Sequence, residues 1–189
     1  MMIPTHRMVG NYLYRHLSRS DKKKINKNAF IWGNVKPDIL RKYKRISHYH
    51  PANEAFVFQL IDELLELNMT IRDFSANLGV LIHFLCDYTC VFHNNMQINR
   101  AYKMRQHMYY EALLHGYAIR KMKKAQPCVI NLPSKTALKN YILAVIHRAN
   151  LEGVVPDMMA DFHAMMEMSV SVMAFMLFNY SKVSYSKTT

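Results

Sequence analysis

Glycine and proline are scarce in this chain, five and six among 189 residues, which argues against a loop-rich or disordered polypeptide. Cysteine is also sparse. Cys86, Cys90 and Cys128 are odd in number and widely spaced, so they describe no disulfide framework. Cys86 and Cys90 lie one helical turn apart; pairing, metal binding and simple burial as small side chains all remain open, and a reduced chain is expected. No apolar run reaches the roughly 18 residues that suggest a membrane span. The richest stretch, 165–178, covers 14 residues and contains Glu167. The opening Met-Met-Ile-Pro-Thr-His has no apolar signal core, and a cytoplasmic protein is the expectation. Acidic residues are few: 13 against 25 Lys and Arg, a formal charge of +12. That surplus attracts anions, whether nucleic acid, an acidic membrane surface or a phosphorylated substrate, and charge alone does not choose among them.

Half of the residues are hydrophobic, enough for a substantial core, and the length suits one domain spanning 1–189. Hydrophobic spacing predicts an all-α protein. A first helix is expected from an N-cap at Thr5, with Met8, Val9, Tyr12, Leu13, His16 and Leu17 following. Residues 18–28 read as a basic loop, and Gly33-Asn34 and Pro37 break the segment 30–43. Pro51 is expected to open an amphipathic helix with Ala55, Phe56, Leu60, Ile61, Leu64 and Leu65 on its apolar face. Thr70 and Asp73 predict a cap for a helix reaching about His93. Further helices are expected over about 98–123, from Ser134 to about 150, and over about 157–179, with a frayed tail after Tyr180.

Ten histidines are many for this length, and their placement is more telling than their number. His83 and Asp87 stand four apart and so share one helical face. His93 follows near the end of that helix. His107 and Glu111 repeat the i, i+4 geometry on the next. Two neighbouring antiparallel helices would aim both His-carboxylate pairs into one interior, as bundle cores do when they build metal sites. Imidazole with carboxylate suits zinc. Asp87, on an otherwise apolar helix, needs a cation beside it if buried. Any one of these histidines alone is more often an ordinary core or surface residue; the repeated pattern is not.

The run His83-xxx-Asp87-xxxxx-His93, then fourteen residues to His107-xxx-Glu111, resembles the bacterial zinc-dependent phospholipase C family. That family shares a superfamily of helical trinuclear zinc phosphodiesterases with the S1/P1-type nucleases. Ile46-Ser47-His48-Tyr49 resembles the family's Ser-His-aromatic ligand segment, with Asp38 ahead of it and His6 as the N-terminal histidine. The resemblance implies a multi-helix bundle holding two to three zinc ions. It implies Asp38, His48, His83 and Asp87 around one zinc, and His93, His107 and Glu111 around a second. It implies His6 on a third, with Asp87 shared. Relatives complete that third site with the amine of an N-terminal tryptophan; Trp32, the sole tryptophan here, lies inside the chain, and Met1 offers the amine instead. His50 is the alternative to His48, and His115, one turn past Glu111, would support a ligand. His16, His147 and His163 have no partner at ligand spacing.

The activity implied is hydrolysis of a phosphodiester, cleaving phospholipid head groups by a zinc-activated hydroxide, since zinc lowers the pKa of bound water to about 7. Asp38 is the implied catalytic group that orients or deprotonates the water. Choline-selective relatives carry aromatics where this chain has Ile39 and Arg45, which points away from a quaternary ammonium. A nuclease or nucleotide phosphodiesterase is the rival enzyme. The charge would suit a polyanion and Tyr88, Tyr102, Tyr109 and Tyr110 could stack bases, but nuclease relatives carry HxxxD where this chain has HxxxE. A non-enzymatic basic helical module, binding nucleic acid or acidic membrane, is the third reading.

Overall fold

The computed structural model describes residues 1–43, 45–94, 102–126, 128–149 and 156–185, and among them there are ten helices and no strand. They are α1 (Ile3–His16), α2 (Arg19–Lys22), α3 (Lys27–Gly33), α4 (Lys36–Ile39), α5 (Glu54–Glu66), α6 (Ile71–Thr89), α7 (Val91–Asn94), α8 (Met104–Met122), α9 (Lys135–Ala149) and α10 (Met158–Tyr185). One hydrophobic cluster runs through the long helices, so the expected all-α bundle is what the chain forms.

The central element is α6. The Thr70 hydroxyl caps it by accepting from the Asp73 N–H, as expected, and from Leu78 to Thr89 every side chain is buried. Around it pack α3, α5 and α10. The stretch Met158–Tyr180 is long and apolar enough to cross a membrane by length and composition, yet 72% of that window is buried inside the protein. Met165, Met168, Met173 and Met176 fill irregular gaps there, a use to which the flexible thioether is suited.

Several boundaries differ from expectation. α1 starts at Ile3, with Pro4 in its first turn, where a missing N–H costs nothing; the Thr5 hydroxyl meets His115 Nδ1 at 3.0 Å instead of capping the helix. The expected loop 18–28 contains α2, capped by Ser18, and the start of α3, capped by Asn26. α5 begins at Glu54, after a turn at Pro51, and Val57 takes the buried place expected for Ala55. Lys103 is extended, with its N–H held by the Gln106 side chain, and α8 follows; Ile98 lies outside the described residues. Ser134 caps α9 as expected through the Ala137 N–H. α10 continues to Tyr185, past the end expected near Asn179.

The break that matters most comes at Cys90. α6 stops at Thr89, Cys90 is extended, and the short α7 carries His93 in a new direction. α8 packs chiefly on α1 and α10, so the two helices bearing the His-carboxylate pairs are not the adjacent antiparallel neighbours expected. The ends of α1 and α7 bring them together instead.

Gly33 and Gly79 set the crossing of α3 and α6. A Cβ at either position would overlap the backbone of the opposite helix, with Ala76 O facing Gly33 and Phe30 O facing Gly79. This close approach brings the Asn34 carbonyl to 2.9 Å from His83 Nδ1. Gly79→Ala gains helix propensity but drives a methyl into rigid backbone, and overpacking wins. The expected loss is about 2 kcal/mol or more, read as a lower denaturant midpoint with unchanged m-value. An unchanged midpoint would mean that the helices are free to separate.

Candidate metal centre

The side chain of Asp87 is at the middle of the site and is wholly buried. Its two oxygens face opposite ways. Oδ1 lies 2.6 Å from the Met1 amine and 3.2 Å from His6 Nε2. Oδ2 lies 2.7 Å from His48 Nδ1 and 3.3 Å from His83 Nε2. On the Oδ2 side Asp38 completes a group, its Oδ1 3.7 Å from His83 Nε2 and 3.8 Å from His48 Nδ1. Ligand atoms of Asp38, His48 and His83 fall within 4.8 Å of one another, and so do those of His6, His83 and Asp87.

Each of these side chains has a local cause. His83 and Asp87 share the inner face of α6. The His83 Nδ1–H donates to the Asn34 carbonyl, which leaves the Nε2 lone pair directed at the carboxylates. His6 is held on the buried face of α1, its ring stacked on His83 at 3.8 Å. Ser47 Oγ accepts from the Tyr49 N–H, and the His50 N–H bonds the His93 carbonyl; these contacts tie the loop so that His48 points inward. His50, the alternative ligand, turns away to Glu54 at 2.9 Å.

The second half of the site lies across the Met1 amine. Glu111 Oε1 is 2.9 Å from His93 Nε2 and 2.9 Å from His107 Nε2. The amine itself is 3.1 Å from Glu111 Oε1 and 2.9 Å from His93 Nε2, so it bridges the two halves. Cys90 also belongs here, its Sγ within 4.8 Å of the ligand atoms of His93 and Glu111. Nothing in its spacing separated it from an ordinary buried thiol. His115 supports α1 through Thr5 rather than the ligand cluster. All eight residues named from the sequence, His6, Asp38, His48, His83, Asp87, His93, His107 and Glu111, are therefore drawn together.

The electrostatics are those of a trap for cations. Burial opposes charge on Asp87, yet the Met1 amine and the surrounding histidines hold its pKa well below the usual carboxylate value. Burial likewise opposes charge on Glu111, but hydrogen bonds from His107 and His93 pull its pKa down. Burial also opposes charge on the Met1 amine; Asp87 and Glu111 outweigh it and raise its pKa to about 11. His6 is driven the other way, to about 3, by burial and by His83. A neutral imidazole is what a metal binds. Asp38, at the rim with 20% of its side chain exposed, has a raised pKa, mainly from burial.

The donor set fits zinc. His6 Nδ1 and Nε2, Asp38 Oδ2, His93 Nδ1 and His107 Nδ1 are buried without a hydrogen-bond partner, an arrangement that costs free energy unless something else satisfies it. Met1, Asp38, His48, His93, Met104, His107, Met108 and Glu111 line a cleft of about 230 Å³ that opens the cluster to solvent.

Comparison with known proteins adds a family. A family model for zinc dependent phospholipase C matches residues 5–155, which take in every residue of the cluster except Met1. Neither comparison with curated proteins nor comparison with solved structures gives a match. A match over most of its length, on a helical frame that gathers these imidazoles and carboxylates, makes this chain a member of the zinc-dependent phospholipase C family.

Proposed function

We propose that the cleft hydrolyses the phosphodiester bond of a phospholipid, releasing diacylglycerol and a phosphorylated head group. The observation that carries this reading is the convergence of eight imidazole and carboxylate side chains, five of which (Asp38, His48, His93, His107 and Glu111) line one open cleft together with the exposed Met104 and Met108. Asp38, His48, His83 and Asp87 would hold one ion, and His93, His107 and Glu111 a second. His6, Asp87 and the Met1 amine would hold a third. Bound zinc supplies a Lewis acid for phosphoryl oxygens and a water acidified to near neutrality.

The chain's own groups supply the rest. Asp87, with one oxygen toward each side, keeps the sites in register. Asp38 borders the cleft, and its buried Oδ2 has no hydrogen-bond partner. With Oδ1 toward the ion, Oδ2 would be free to orient the attacking water and accept its proton. Asn34, through His83 Nδ1, keeps that imidazole from rotating out of place.

The mouth favours lipid over nucleic acid. Met104 and Met108 line it with 68% and 63% exposure, and Ile39, beside Asp38, is 45% exposed. Exposed Arg41, Lys42, Arg45, Lys103 and Arg105 neighbour them in sequence. Apolar side chains flanked by cations suit an acidic membrane surface, where each Lys or Arg is worth about 1 kcal/mol. Of the tyrosines that would stack bases, Tyr88 and Tyr110 are core residues, Tyr102 sits edge-on to Phe92, and Tyr109, 66% exposed, is not among the described residues that line the cleft. Among the described residues that line the cleft none is a Phe, Tyr or Trp of the kind that cages choline, and an uncharged or anionic head group fits them better.

Purified protein should carry two to three zinc ions. Zinc at about a hundred times its dissociation constant should add about 2.7 kcal/mol, a rise in Tm of about 5–10 °C that a chelator reverses. A melting curve indifferent to both would leave a non-enzymatic basic helical module as the better reading.

Activity is tested with phosphatidylglycerol vesicles, phosphatidylcholine vesicles and single-stranded DNA in parallel. Diacylglycerol should appear fastest from phosphatidylglycerol while the DNA stays intact; cut DNA with intact lipid would make the chain a nuclease. Asp38→Asn and His83→Ala should each lower kcat by about 10²-fold or more. Full activity in either variant would place the chemistry elsewhere.

Replacing Met104 and Met108 together by Asp should reduce sedimentation with anionic vesicles by about tenfold or more, because two apolar contacts are lost and two repelling charges gained. The zinc count should stay unchanged. Undiminished vesicle binding would move the lipid contact to another face.

A further inference from the structure

Asp161 lies beyond the matched family segment, in the first turn of α10, and is buried with 4% exposure. Its Oδ2 accepts from the Val91 N–H at 3.0 Å and from the Tyr110 hydroxyl at 2.7 Å. Two donors from two separate segments thus meet on one side chain of a third.

Those segments carry the second half of the metal centre. Val91 opens α7, two residues before His93. Tyr110 sits on α8 between His107 and Glu111. Phe92 lies between them, stacked on His107 at 4.8 Å and 8° and packed against Tyr110 at 5.1 Å. The Val91 N–H is bonded to Asp161 at the very point where α6 has ended and the chain re-aims His93. Burying a carboxylate is expensive: burial pushes its pKa up to about 7, while the bonds from Val91 and Tyr110 pull the other way. A core position that needed only packing would be served better by Leu or Met.

We propose that Asp161 is a positioning residue that locks α7 to α8, so that His93, His107 and Glu111 converge on a single zinc ion. This rests on reading that trio as zinc ligands. The ligands themselves never touch Asp161; it acts through the Val91 backbone and the Tyr110 ring. The same lock explains why the chain leaves the α6 axis at Cys90: the carboxylate takes the N–H of Val91 and caps the short helix from outside.

The test compares wild type with Asp161→Leu, Asp161→Asn and Tyr110→Phe. Zinc content and affinity are measured by chelator competition, with thermal melts, amide exchange at Val91, and kcat and KM on a water-soluble short-chain phospholipid. Asp161→Leu removes the acceptor, and the zinc held by His93, His107 and Glu111 should loosen by about 10- to 100-fold, seen as one ion of the set shifted in the competition curve. kcat should fall in parallel with little change in KM, and the Val91 amide should lose protection. Asp161→Asn keeps a carbonyl oxygen for both donors and should restore affinity to within about threefold. Tyr110→Phe keeps the ring and removes one bond, and should weaken zinc by about fivefold. A folded Asp161→Leu protein with wild-type zinc affinity overturns the proposal. Where Asp161→Leu fails to fold, unchanged affinity in Tyr110→Phe overturns it. Wild-type protein that binds no zinc would refute the reading of the trio, an outcome separate from equal binding by wild type and variant.

Discussion

A single buried carboxylate organises this protein. Asp87 is removed from water on the central helix of the core, where an isolated carboxylate would be untenable or would take up a proton. It survives as an anion because the Met1 amine pairs with it directly and polar imidazoles reach it from three further places in the chain: His6 on α1, His48 in the loop before α5, and His83 one turn earlier on α6. Each partner must be delivered by its own element. The need to satisfy Asp87 therefore couples the start of the chain, the central helix and a loop that otherwise has little to bury.

The fold reads as the means of that delivery. A helix as apolar as α6 holds its inward face rigidly, but a rigid face does not aim an imidazole at an oxygen. The close approach at Gly33 and Gly79 does that for His83, by bringing up a carbonyl that fixes which ring nitrogen faces the site. The break at Cys90 does it for His93. Had α6 continued, His93 would stand six residues past Asp87 and point to a different face of the helix. Stopping the helix and starting a new one places it opposite Glu111 instead.

Much of this was legible in the sequence, and what was not has a physical explanation. The His83–Asp87 and His107–Glu111 pairs announce shared helical faces because their spacing matches the helical repeat, and Thr70 announces the start of α6 because capping is local chemistry. The choice of His48 over His50 rested on a resemblance of three residues, and the structure turns His50 toward Glu54. The adjacency expected for the two pair-bearing helices failed because local spacing carries no information about which helices pack together. Asp161 was invisible for the same reason. Its donors come from residues 70 and 51 positions away, and no periodicity links them. The early start of α1 was missed because Thr5, a good cap by type, spends its hydroxyl on His115 far along the chain.

The charge distribution has opposite signs at two scales. The chain as a whole carries +12, while the carboxylates of Asp38, Asp87 and Glu111 gather at and beneath the cleft floor with the Met1 amine and five imidazoles. Cations bound at that floor reverse its sign, because each divalent ion outweighs the single charge of a carboxylate beside it. On the proposed reading, the cleft would then join the positive field of the surface around it, and an anionic phosphodiester arriving at the mouth would be drawn inward along the whole path. The surface charge would gather the substrate at the protein, and occupancy of the carboxylate cluster would decide whether it proceeds further.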